Sequence, residues 1–97
     1  MNEIIREAIE NKRMIEFNYK DEVRVVEPYA YGVSSKNNDI LRGYQVEGGS
    51  SSSSDLGWRL FTVDKIENII ITDIEFEAIQ DGYNPNDSAM TEIYVTV

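Results

Sequence analysis

Two short runs of β-forming residues, Ile40–Val46 and Trp58–Val63, flank a glycine- and serine-only stretch from Gly48 to Ser54. That stretch has no side chain able to fill a core, and its composition is that of a flexible connection. The two flanking runs therefore read as paired strands across a loop. Trimming its serines is expected to change stability by less than about 1 kcal/mol, because loop-closure entropy grows slowly with length. The second run enters a polar break, Asp64-Lys65-Ile66, and then another apolar run, Ile69–Thr72. Arg42, Arg59 and Lys65, three of the nine basic residues, lie in this region. The N-terminal residues lead into a sheet, and the C-terminal residues close it.

Taken in order, the chain opens with a helix over 1–12. Asn2 is its N-cap, and Ile4, Ile5, Ala8 and Ile9 line one face at helical spacing. Met14–Tyr19 then alternates, with Ile15, Phe17 and Tyr19 against Glu16 and Asn18. Lys20-Asp21-Glu22 reads as a turn, Val23–Glu27 as a strand, and Pro28 as an edge position or a bend. Tyr29–Ser35 is extended again, and Lys36–Asp39 is a second turn. Residues 73–90 lack a regular pattern and carry the breakers Asp81-Gly82 and Asn84-Pro85. Thr91–Val97 forms a closing strand, with Ile93, Val95 and Val97 inward and Glu92, Tyr94 and Thr96 outward. The expected fold class is mainly β (α+β): an N-terminal helix, strands over 13–72, and a loop with a closing strand over 73–97. These pack as one domain in a small, strongly bent antiparallel β-barrel.

Ninety-seven residues with 41% hydrophobic content and ten aromatics suffice for one core without covalent staples. The absence of cysteine removes disulfides and thiol chemistry and suits a reducing compartment. The N-terminal residues show no signal pattern and no apolar run approaches a membrane span, so the expectation is a cytoplasmic protein with no membrane partner. The net charge of −9 is uneven: residues 66–97 hold seven acids and no base. Such a balance opposes nucleic-acid binding by phosphate neutralisation alone, but leaves room for a local basic pocket.

Enzymatic constellations are missing. Without His or Cys the chain lacks the commonest general base, metal ligand and thiol nucleophile. The serine run has no base at fixed reach. Asp81–Asp87 with Glu92 resembles a calcium loop, but Tyr83 and Pro85 occupy ligand positions and the pattern fails. Asp73, Glu75 and Glu77 alternate on one face and read as a solvated edge rather than a metal site. The expectation is a non-enzyme with no cofactor and no metal.

The binding candidates are Arg24, Tyr31, Arg42, Tyr44, Gln45, Arg59 and Lys65. Arginine presents a planar fork suited to phosphate, and tyrosine a stacking face with a hydroxyl. Arg42 and Arg59 are expected to face a shared pocket with Tyr44 or Gln45 and to bind an anion. The alternative has each arginine lying over the barrel and pairing with Glu27, Glu47 or Asp64. Trp58 reads as a core or barrel-end plug rather than a ligand platform.

Asp21-Glu22-Val23-Arg24-Val25-Val26-Glu27-Pro28-Tyr29 resembles the G-E-x-R-x-V-E-P-Y run of WYL domains. Leu41–Gln45 and Trp58–Ile66 resemble that family's later Y-L-x-x-Y and R-x-F-R-L-D-R-I segments, so the likeness spans roughly Ile4 to Thr72. The resemblance implies an Sm-like or SH3-like barrel and a regulatory, ligand-sensing module of bacterial or phage transcription or defence systems. The chain departs from the family pattern at Asp39-Ile40-Leu41, which stands where the family has Trp-Tyr-Leu. Thr62 and Lys65 likewise replace arginines. A free-standing module without direct promoter binding is expected. Its ligand would be an anionic small molecule, a nucleotide or a short nucleic acid. The competing reading is a protein-interaction or homo-oligomerisation module, using a sheet edge or the acidic C-terminal third.

Overall fold

The computed structural model describes residues 2–48 and 56–97. The serine run and the expectation about its trimming therefore lie largely outside the described residues. The elements are α1 (Glu3–Glu10), β1 (Arg13–Tyr19), β2 (Glu22–Val33), β3 (Asp39–Gly48) and β4 (Gly57–Thr62). A 3-10 turn, Val63–Lys65, leads to β5 (Glu67–Glu75), and β6 (Glu92–Thr96) ends the chain.

Asn2 caps α1 as its side chain accepts a hydrogen bond from the Ile5 amide at 3.1 Å. Ile5, Ala8 and Ile9 are buried, but Ile4 stays 39% exposed, which corrects the expected apolar face. Successive helical residues point about 100° apart, so Ile4 and Ile5 cannot both face the sheet squarely.

All strand pairs are antiparallel, in the order β4-β3-β2-β1-β5, with β6 also on β2. The fold is thus mainly β with one N-terminal helix, as the patterning predicts. The sheet is bent but not closed, since no described ladder joins β4 to β5. A full barrel is not formed. Lys20 and Asp21 both take positive φ (53° and 64°), the left-handed pair that a tight hairpin between β1 and β2 requires.

β2 is the spine. Its first half pairs with β1, its second half with β6, and β3 runs along its other edge. Pro28 therefore sits inside a twelve-residue central strand rather than at an edge. It is tolerated beside a register shift between Pro28 and Ala30, where a bulge relieves the ladder of one amide. The expected bend is present; the expected edge is not.

The main core joins Ile5 and Ile9 of α1 to Phe17, Val26, Leu41 and Phe61 of the sheet. Phe17, Tyr19 and Phe61 meet edge to face, with Phe61 5.0 Å from each of the other two ring centroids. A smaller cluster of Ala30, Ile40 and Met90 lies under β6. Tyr94, expected outward, packs instead on Tyr31 at 5.1 Å and joins the main core. A register shift on β2 between Tyr31 and Gly32 breaks the strict alternation that the outward placement assumed. Among the described residues, no helix is long and apolar enough to cross a membrane.

Candidate functional site

Strand alternation decides which of the candidate residues can meet. In the β3–β4 ladder, Arg42 lies opposite Leu60 and Tyr44 opposite Trp58, while Gly43 lies opposite Arg59. Directly opposed residues share a face, and neighbours along a strand do not. Arg42 and Tyr44 therefore stand on one face with Trp58, and Arg59 stands on the other. The shared Arg42–Arg59 pocket does not form.

Arg24 and Gln45 come together away from both. Arg24 is 4% exposed and donates to Gln45 Oε1 at 3.3 Å, with Glu22 at 3.7 Å and the Tyr19 ring beneath its guanidinium. Gln45 in turn donates to the Gly48 carbonyl at 3.1 Å. The pair is wired into the sheet. Tyr31 is fully buried: its hydroxyl accepts from the Asn2 amide at 2.8 Å and donates to Asp39 at 3.3 Å. Burial, with the nearby Asp39 carboxylate, raises its pKa, so it remains a neutral bridge between helix and sheet. Lys65 is exposed on the 3-10 turn.

Arg42 lies at a cavity. A pocket of about 260 Å³ is lined by Arg42, Trp58, Gly82, Tyr83, Asn84, Asp87 and Ser88. β3 supplies Arg42, β4 supplies Trp58, and the irregular segment before β6 supplies the remainder. Arg42 meets Asp87 fork to fork, Nε to Oδ2 at 2.7 Å and Nη2 to Oδ1 at 3.2 Å. The guanidinium, the Ala89 amide and the local positive charge hold the Asp87 carboxyl below the usual carboxylate range, against the opposing effect of burial. The pair is asymmetric in exposure, with 26% of the Arg42 side chain open to solvent against 7% for Asp87.

The other wall is aromatic. Trp58 stacks on Tyr83 with 5.9 Å between ring centroids and 23° between planes, and it meets Tyr29 and Tyr44 edge to face at 4.8 and 5.3 Å. Its indole N–H donates to the Asp81 carbonyl at 2.8 Å, which ties the irregular segment to β4. Trp58 is half-buried and forms one wall of the pocket, where the sequence predicts a core or barrel-end plug rather than a ligand platform. Below it, Tyr29 donates to buried Glu27 at 2.9 Å and accepts from the Gln80 amide at 3.0 Å. Burial pushes the Tyr29 phenol up to about 12, assisted by Glu27 and opposed by the Gln80 amide.

Tyr83, Asn84, Asp87 and Ser88 are site residues that sequence reasoning does not pick out. The signals were the turn pairs Asp81-Gly82 and Asn84-Pro85, which mark a shaped loop rather than a linker. Among the described residues, no acidic group of three or more is placed to hold a metal ion. Comparisons with protein-family models, with curated proteins and with solved structures each found no match.

Proposed function

We propose that this chain is a cytoplasmic, non-enzymatic ligand-sensing module of WYL-like type. Its ligand is anionic and nucleotide-sized, bound where Arg42, Trp58 and Tyr83 converge. One observation carries the reading: the Arg42 fork is already held in the geometry that two oxyanion oxygens require, in the lining of a pocket with an aromatic wall.

Asp87 supplies those two oxygens from within the chain. An incoming phosphate or carboxylate takes its place, and Asp87 turns to water. The exchange trades one charge-assisted contact for another, so little net affinity comes from the anion itself. Selectivity then rests on stacking against Trp58 and Tyr83, where an aromatic face typically contributes about 1–3 kcal/mol per base. The pocket falls just under the common ligand-site range of about 300–1,000 Å³, which favours a single nucleotide over a nucleic-acid strand. Releasing the Asp87 carboxylate also frees the Ala89 amide that it holds, and that loosening of the loop is the signal.

Trp58 is the sole tryptophan, so its fluorescence reports the site directly. Titration with mononucleotides should quench it saturably, and Arg42→Gln should weaken binding because the incoming anion then meets the Asp87 carboxylate with no cation between them. An unresponsive wild-type protein at millimolar nucleotide would overturn the proposal.

A further inference from the structure

β5 ends the sheet. Its inner edge pairs with β1, and no described strand pairs with its outer edge. Ile70 and Ile74 are 54% and 52% exposed on this strand, an apolar surface that edge strands ordinarily avoid. β5 itself carries only acids, Glu67, Asp73 and Glu75, in a C-terminal third with seven acids and no base, and Arg13 of the neighbouring strand lies opposite Glu75. Beside the strand lies a groove of about 410 Å³ lined by Glu7, Asn11, Arg13, Ile71 and Glu75. Arg13 leans on Asp73 at 3.8 Å, and Glu7 and Glu75 are the groove's two carboxylates.

In the register centred on β5, a second copy is a poor fit for this edge. Antiparallel pairing of β5 with itself about Ile71 would set Glu67 against Glu75, like charges directly opposed. We propose that the outer edge of β5 receives an extended, basic segment of a partner protein by strand addition. The peptide backbone continues the sheet, its apolar side chains cover Ile70 and Ile74, and a lysine or arginine enters the groove between Glu7 and Glu75. Backbone pairing gives affinity, and alternation of apolar and basic residues gives specificity. The site is separate from the Arg42 pocket and stands whether or not that pocket binds nucleotides.

The test uses a fluorescent peptide alternating lysine with valine. Two controls accompany it: the same peptide with glutamate for lysine, and one of equal charge with its central valines replaced by proline. The lysine–valine peptide should bind, and amide-exchange protection should appear on β5. The proline peptide should bind at least about tenfold more weakly, because it cannot donate to the ladder. Glu7→Gln with Glu75→Gln, which puts no like charge opposite Arg13, should weaken binding by about tenfold or more. Equal binding of the lysine–valine and proline peptides would reduce the effect to bulk charge and overturn the proposal. Protection away from β5, or a protein whose β5 is already buried in a dimer, would overturn it equally.

Discussion

Arg42 on β3 and Asp87 in the loop before β6 form a two-point contact across 45 residues of chain, at 2.7 and 3.2 Å. The contact closes the irregular C-terminal segment onto the sheet and fills the Arg42 fork with a carboxylate of the same molecule. On the ligand-sensing proposal, stability and ligand response depend on the same pair.

Removing Arg42 strands a carboxylate of which 7% is exposed. Arg42→Ala should lower stability by about 2 kcal/mol, below the full cost of breaking a buried pair because the arginine itself is partly solvated. Urea unfolding measures it. A loss within a few tenths of a kcal/mol of wild type would mean that the pair contributes nothing to the fold.

Asp87 also sets an acid limit. Its folded-state pKa lies below the unfolded value near about 3.9, so its contribution is present above that pH. It is lost as pH falls through the lower folded value. In Asp87→Asn the melting temperature should fall less steeply below about pH 4 than in wild type. Parallel acid profiles would contradict the assignment.

Tyr29 sets the alkaline limit. Its folded pKa of about 12 exceeds the unfolded value of 10.0, so its contribution is full below the unfolded value and fades as pH rises toward the folded one. Tyrosinate absorbance should show late-titrating phenols, Tyr29 among them beside Tyr31 and Tyr94, and Tyr29→Phe should remove one of them. The same variant leaves buried Glu27 and the Gln80 amide without the hydroxyl, at a cost of about 1–3 kcal/mol.

Gly32 is a packing constraint. A methyl group there would run into the Glu92 carbonyl and Met90 Sδ, so Gly32→Ala should push β6 off β2. The expected cost is about 1–3 kcal/mol, with amide exchange rising first in β6. Unchanged β6 protection would show that the strand can shift at no cost.

What the sequence made legible was local. The Asn2 cap and the Ile5–Ile9 spacing predict α1, and the alternation of Ile15, Phe17 and Tyr19 predicts β1, because each depends on residues within a few positions of one another. Register shifts are less visible: the one beside Pro28, read as an edge position or a bend, lets the proline sit within a central strand, and the one between Tyr31 and Gly32 brings Tyr94 inward. The site was half legible for a similar reason. Arg42 stands out by residue type, but its partner Asp87 is one acid among seven in the C-terminal third, with no local pattern. Arg59 looked equivalent to Arg42 until pairing with Gly43 placed it on the opposite face.

Asp87→Asn is the most direct test of the ligand-sensing account. The amide keeps an oxygen for the Ala89 N–H but gives up the charge that occupies Arg42. If Asp87 stands in for the ligand, nucleotide titration followed by Trp58 fluorescence should show Asp87→Asn binding about tenfold more tightly than wild type. Equal or weaker binding by a folded Asp87→Asn protein would contradict that claim.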